Sequence, residues 1–296
     1  MRRAFLTLMV LAAAAAGIGV FVTRPKTVAA SAFADLAPDL ARGEMIYYAA
    51  GCGSCHAAPD ASDEAKLVLA GGKAFQSQFG TFYAPNISSD PQSGIGGWSD
   101  AEIISAVKYG TSPEGEHYYP AFPYTSYQKA ELADLVSLTA FLRTLPTDPT
   151  PSKAHEVGFP FNIRLSIGGW KLLFSDEDWI VDVGADPVLE RGRYLAESLG
   201  HCGECHTPRG ALGGLETARW FAGAPNPSGK GRIPNISPAQ FDWSHADTAS
   251  YLKSGFTPEF DVAGGSMTDV VASLSQLPDE DLAAIAAYVK SVPPAQ

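Results

Sequence analysis

The stretch "CGSCH" at residues 52–56 recurs as "CGECH" at residues 202–206, and together these two stretches hold every cysteine of the chain. Two cysteines separated by two residues, with a histidine directly after, form the attachment pattern of a c-type haem. The spacing follows from chemistry. Two thiols must reach the two vinyl groups of one porphyrin, and the adjacent imidazole is carried beneath the ring, where it can bind iron. Cys52, Cys55, His56 and Cys202, Cys205, His206 are therefore the expected cofactor-binding residues. His56 and His206 are the expected iron ligands, and two covalently bound haem c groups the expected cofactors. Other chemistries use the same residue types. Paired CxxC motifs can build a tetrahedral zinc site, but zinc does not require a histidine at the same offset in both. A redox-active dithiol would normally sit in a βαβ pattern, which is absent here. Structural disulfides are a third possibility for an exported protein.

The similarity between the two halves extends beyond these motifs. "PNIS" follows at residues 85–88 and again at 234–237, so that Asn86 lies 34 residues past Cys52 and Asn235 lies 33 past Cys202. Trp98 and then "AEIISAVKYG" ending at Gly110 correspond to Trp243 and then "TASYLKSG" ending at Gly255. The chain thus reads as an internal duplication with one unit per haem. Each unit runs helix, haem motif, long loop, helix, ligand loop, helix. The segments before the cysteines place apolar residues at helical spacing. The closing segments "ELADLVSLTAFLRTLP" and "PDEDLAAIAAYVKSVP" are amphipathic, acidic at the start and bounded by proline. Period-two alternation is nearly absent, so the expected fold class is all-α.

Residues 147–180 belong to neither repeat. They begin proline-rich, as a linker does, but Phe159, Phe161, Trp170, Leu172 and Phe174 make them too apolar for a free tether. The linker is expected to pack along both domains. The resulting division is 1–30 for an N-terminal signal or anchor, 35–146 for the first domain, 147–180 for the linker and 181–296 for the second domain.

The N-terminus has Arg2 and Arg3, then 19 uncharged and largely apolar residues from Ala4 to Val22, then Arg24 and Lys26. Its length approaches what a bilayer span needs. Cleavage sites of the small-residue type exist at Val28 to Ala30 and Ala32 to Ala34, beyond the apolar stretch. The segment reads as an uncleaved inner-membrane anchor, with a cleaved signal peptide as the alternative, and either places the body in the periplasm. The net charge is −11, with 14 acidic against 6 basic residues over 35–150 and 14 against 8 over 180–296. Such a surface repels nucleic acid and favours a redox partner with a basic docking patch.

Taken together, the two CxxCH motifs, "FGTFYAPNIS", "IGGWSDAEI", "HYYPAFPYTSY", "GHCGECHTPRG" and "GGSM" resemble the bacterial periplasmic di-haem c-type cytochromes, over about residues 38–294. That group contains electron-accepting subunits of membrane-associated dehydrogenases. The resemblance implies two tandem cytochrome c-like domains, electron relay in the periplasm, and Met267 as a distal ligand. It also suggests that Asn86, Asn235, Trp98 and Trp243 pack by the haem edges or propionates, although ordinary loop and core packing would explain them equally.

The chain has four methionines, Met1, Met9, Met45 and Met267. Two lie in the export segment, and Met45 precedes Cys52 in a helix that reads as core. Met267, 12 residues past Gly255, stands where a thioether can approach the second haem from the distal side. The same count from Gly110 reaches Phe122, whose ring cannot ligate iron. The first haem therefore takes another ligand, with His117 nearest and Tyr118, Tyr119 and Tyr124 weaker, or has an open site. His155, His201 and His245 read as structural or exposed. The leading functional expectation is an electron carrier without catalysis of its own, receiving electrons from a dehydrogenase or quinol-linked donor and passing them to a downstream cytochrome or oxidase. The competing one is a di-haem enzyme, peroxidase-like or thiosulfate-oxidising, in which the first haem is the reactive site.

Overall fold

The computed structural model describes residues 2–227, 229 and 231–295; Met1 lies outside the described residues. Helix α1 (Arg2–Val22) stands apart from the body and is exposed along its length. The first half then runs through α2 (Leu40–Ala49), α3 (Cys52–His56), α4 (Asp100–Tyr109), α5 (Tyr124–Tyr127) and α6 (Leu132–Leu142). The linker carries α7 (Leu165–Phe174). The second half repeats the order as α8 (Pro187–Arg193), α9 (Gly203–His206), α10 (His245–Ser254), α11 (Ser266–Leu274) and α12 (Asp279–Ser291).

The duplication is built on one helix crossing used twice. Gly43 on α2 lies against α6, where an added Cβ would stand 2.1 Å from the Ser137 carbonyl oxygen; Gly192 on α8 lies against α12, 2.0 Å from that of Ala284. Only glycine allows backbones so close. Beside each glycine an arginine crosses to an aspartate on the partner helix, Arg42 to Asp134 and Arg191 to Asp281. Helices α4 and α10 likewise start in matching capping boxes, Ser99 with Glu102 and Ser244 with Asp247, and end at Gly110 and Gly255.

One difference between the halves has a clear local cause. Cys52 lies nine residues past Gly43, whereas Cys202 lies ten past Gly192. The extra residue is taken up by a π-helical turn over Tyr194–Leu199, which lets the second motif keep its place beneath the same crossing. Inside this turn Glu197 is only 2% exposed. Its carboxylate accepts the backbone N–H groups of Ile180 at 2.8 Å and Val181 at 3.1 Å and the hydroxyl of Tyr288. Glu197 thereby fastens the end of the linker to the helix that leads into the second motif.

The described residues are not purely helical. Strands β1 (Ala74–Ser77) and β2 (Gly80–Tyr83) form a hairpin, and β3 (Glu156–Val157) from the linker pairs with β2. In the second half, β4 (Ala224–Pro225) pairs with β5 (Arg232–Ile233). The all-α expectation is corrected to mostly helical. These strands are two to four residues long, too short for alternation to register in the sequence.

The linker lies along both halves. Arg164 donates to the His117 carbonyl at 2.7 Å, and Trp170 Nε1 donates to the Leu212 carbonyl at 2.9 Å. One hydrophobic core runs through both halves, joining Ile46, Ile104 and Leu138 to Leu195, Phe221 and Tyr288, and a smaller one gathers Phe82, Tyr119 and Ile167. Substituting Glu197 with alanine strips the buried Val181 amide, the half-buried Ile180 amide and the Tyr288 hydroxyl of their acceptor. Each orphaned donor costs about 1–3 kcal/mol, so the midpoint of denaturant unfolding should fall markedly; an unchanged midpoint would show that Glu197 fastens nothing.

Candidate haem sites

Each CxxCH motif forms a short helix whose second residue is glycine for a packing reason. A Cβ on Gly53 would stand 2.6 Å from the Tyr47 hydroxyl, and one on Gly203 would stand 1.9 Å from the Trp220 ring. No two of the four cysteines pair as a disulfide. Among the described residues no cluster of three or more His, Cys, Asp or Glu gathers as a metal site, so the two motifs do not combine into a zinc tetrahedron.

The histidines are oriented alike. His56 Nδ1 lies 2.9 Å from the Pro85 carbonyl oxygen, and His206 Nδ1 lies 2.9 Å from that of Pro234. The carbonyl fixes Nδ1 as the protonated nitrogen and leaves Nε2 for a metal. Burial lowers both imidazoles, which keeps them in the neutral, ligating form near pH 7. The "PNIS" repeats thus act through proline carbonyls, which the side-chain reading of the sequence passed over.

Asn86 and Asn235 hold those turns in shape. Each side-chain oxygen accepts the backbone N–H two residues on, at 2.8 Å from Ser88 and Ser237. Asn86 Nδ2 also donates to the carbonyls of Asp148 and Thr150, both at 2.8 Å, tying the turn to the start of the linker. Trp243 packs at a tilt against Phe241 and edge-on to Tyr251, each 5.1 Å away between ring centroids, and Trp98 packs against the core.

The distal loops share one geometry. Thr111 bridges His117 and Phe256 bridges Val262, in each case one and seven residues past the glycine. The Tyr118 amide donates to the Gly110 carbonyl at 2.8 Å and the Ala263 amide to that of Gly255 at 2.7 Å, in each case eight residues on. Phe122 and Met267 each lie four residues past the last of these matching contacts, Phe122 just before α5 and Met267 inside α11. The Phe122 ring faces His56, with centroids 6.5 Å apart and planes at 84°. Met267 is partly buried in the first turn of α11.

His117 sits elsewhere in this arrangement. It is buried, its Nε2 is 2.8 Å from the Thr23 carbonyl, and Gly168 of α7 is packed against the same nitrogen. Tyr119 packs with Phe82 and His155, and Tyr124 lies under the Lys171 ammonium. Met45 faces Arg191 across the boundary between the halves, with sulfur and guanidinium 3.7 Å apart. His201 lies edge-on to Tyr127, and His245 is exposed in the first turn of α10.

The motifs also reach across to each other's half from the same position, the residue before the second cysteine. Ser54 Oγ donates to the Asp269 carbonyl at 3.3 Å and lies 3.1 Å from Ser273 Oγ, both on α11. Glu204 accepts from Thr125 at 2.9 Å and Ser126 at 3.4 Å, both on α5. Lys66 and Lys73 of the first half each pair with Asp269 at 3.0 Å. Phe122, Tyr127 and His201 form a row at 5.6 Å steps from the ring facing His56 to the residue beside Cys202.

Comparison with known proteins adds to this geometry. The cytochrome c family model matches residues 40–146 and 189–293. The chain is 56% identical over 293 residues to "Diheme cytochrome c-type" of Cereibacter sphaeroides, covering 99% of both. It is 36% identical over 264 residues to the fructose dehydrogenase cytochrome subunit of Gluconobacter japonicus, covering 86% of this chain and 53% of that one. It is 35% identical over 280 residues to the gluconate 2-dehydrogenase cytochrome c subunit of Pantoea cypripedii, covering 88% and 62%. This chain thus spans only part of the length of those two dehydrogenase subunits.

If Phe122 stands in the place of a thioether, Phe122→Met should enlarge the sulfur-to-iron charge-transfer band of the oxidised protein from one haem's worth to two. A band of unchanged size would mean that position 122 does not address the first site.

Proposed function

Because the chain belongs to the cytochrome c family and carries two covalently bound haem c groups, we propose that it relays single electrons in the periplasm, from a dehydrogenase or quinol-linked donor to a downstream cytochrome or oxidase. The observation that carries this reading is the pair of matching histidine–proline carbonyl contacts on motifs that reach into each other's half. Cys52 and Cys55 would hold one haem and Cys202 and Cys205 the other, with His56 and His206 as proximal ligands. When bound, each haem supplies a one-electron couple. The protein's part is to fix both imidazoles, to cover them with apolar side chains, and to hold the motifs rigidly together. The row Phe122, Tyr127, His201 lies between them.

The two sites are inequivalent. Met267 would complete the second. Nothing in the first offers a thioether, and Phe122 would cover that distal side. The His117 contact with Thr23 speaks for an open first site over ligation by His117. Catalysis at that site would need a polar group aimed at the distal face. The ring facing His56 there is apolar, Glu116 is exposed and His117 is turned to the linker, which favours the carrier over a peroxidase-like or thiosulfate-oxidising enzyme. The names of the dehydrogenase subunits among its relatives make a dehydrogenase the preferred donor. The acidic surface suits a partner with a basic docking patch.

Helix α1, of mean hydropathy 2.4 and long enough to cross a bilayer, would attach the protein to the inner membrane uncleaved. Residues just after it are built into the first half, with the Val28 amide on Ser105 Oγ at 2.9 Å and Thr111 Oγ1 donating to the Lys26 carbonyl at 2.7 Å. Cleavage after Ala30 would remove these contacts.

Intact mass and haem staining should show two haems, and Cys202→Ala should remove one; a wild-type mass without porphyrin would end the proposal. A redox titration should resolve two steps. Met267→His should lower one of them, since a thioether raises the potential relative to imidazole. An unaltered titration would exclude Met267 as a ligand. Carbon monoxide should bind the reduced first haem in the wild-type protein, and His117→Ala should leave its spin state unchanged; conversion from low to high spin would restore His117 as the ligand.

A further inference from the structure

Helix α7 has an outward face of the wrong chemistry for water. Its inward side is held by Ile167, by Gly168, and by Lys171, whose ammonium bonds the carbonyls of Tyr109 at 2.5 Å and Gly110 at 2.9 Å. Leu165, Leu172 and Leu173 are exposed, at 56%, 62% and 69%. At 100° per residue these three fall within one arc of less than a third of the circumference, together with Gly169 and with no charged residue. Just upstream, Phe159, Phe161 and Ile163 are exposed as well. Scattered exposed leucines are ordinary, but a contiguous apolar face marks a surface with something to meet.

What it meets is indicated by where α1 ends. Thr23, the first residue past that helix, is wedged against α7: a Cβ on Gly168 would stand 2.5 Å from its carbonyl oxygen. That carbonyl also lies 2.8 Å from His117 Nε2. Leu172 follows Gly168 by one helical turn, so the leucine face begins beside the exit of α1. Residues 158–174 hold no acidic residue, and their two cations are engaged inward, Arg164 on the His117 carbonyl and Lys171 on those of Tyr109 and Gly110, so the outward face is apolar and uncharged. An apolar, uncharged face beside the exit of an apolar helix suits the acyl boundary of a bilayer.

We propose that the outward face of α7 and the segment leading into it lie in the lipid headgroup and acyl boundary, as a second membrane contact beside α1. This rests on the reading of α1 as an uncleaved anchor. The consequence is orientation. A lone span would let the body swing on its tether, whereas two contacts fixed to each other through Thr23, His117 and Gly168 hold the haem domains in one attitude toward the membrane. His117 is then a positioning residue at the anchor's exit.

The test uses the full-length holoprotein in vesicles of phosphatidylethanolamine and phosphatidylglycerol, with a photoreactive diazirine side chain placed singly at position 10, 165, 172 or 279. Irradiation should add the mass of one phospholipid at 10, 165 and 172 and none at 279, which lies in the first turn of α12. Adducts at 10 without any at 165 and 172 would overturn the membrane face and leave the anchor standing. Cross-links from 165 or 172 to a second copy of the chain, or to another protein, would also overturn it. No lipid adduct at any position would refute the anchor reading and this proposal together. Adducts at 165 and 172 without any at 10 would establish the face while refuting the anchor.

Discussion

A histidine that is to bind iron through one ring nitrogen must have the other nitrogen satisfied, and here that nitrogen is held by a proline carbonyl. His56 on Pro85 and His206 on Pro234 share the 2.9 Å distance. Much of each half follows from placing that carbonyl correctly. The turn that presents it is shaped by an asparagine accepting from the amide two residues on. The helix that presents the histidine is set by a crossing so close that only glycine fits, at Gly43 and at Gly192. A misplaced carbonyl would leave a buried imidazole with the wrong tautomer or none of its hydrogen bonds, and a polar group left unpaired in the interior costs on the order of 1–3 kcal/mol.

The halves do not simply sit side by side. The residue before the second cysteine of each motif reaches a helix of the other half, Ser54 to α11 and Glu204 to α5. Asp269, two residues past Met267, is held by Lys66 and Lys73 of the first half. All three side chains are about a third exposed, so the ion pairs add modest stability. Their larger effect is geometric, because α11 cannot shift without breaking contacts to both lysines and to the Ser54 motif.

Much of this was legible in the sequence because the covalent chemistry demands fixed spacing. The paired "PNIS" turns reappear with matching asparagine contacts, and the loops after Gly110 and Gly255 match through the eighth residue, with the same bridge and the same carbonyl contact in each. The illegible parts were those made by backbone or by few residues. Pro85 and Pro234 act through carbonyls that every residue possesses, so their identity gives no hint of the contact. Strands of two to four residues leave no alternation to detect. His117 stood near the distal position in sequence, yet its Nε2 meets Thr23, 94 residues away along the chain. Such long-range contacts have no periodic trace.

The duplication also shows how two copies of one design diverge without losing their frame. The second copy has one more residue between Gly192 and Cys202 than the first has between Gly43 and Cys52. In a regular α-helix such an insertion would rotate the motif by about 100° and carry the histidine off its carbonyl. The π turn at Tyr194–Leu199 absorbs the residue locally, and the His206 contact matches that of His56. The added turn brings Glu197 inward, where it holds the linker's last residues, and Tyr194, whose hydroxyl meets Asp134 of the first half. The first copy varies elsewhere, at Phe122, which stands just before the four-residue α5, whereas Met267 lies inside the nine-residue α11. Both departures leave the proximal frame intact. The backbone around each imidazole is thus the invariant element of the design, and the distal side chains and the joints between halves are where it is free to change.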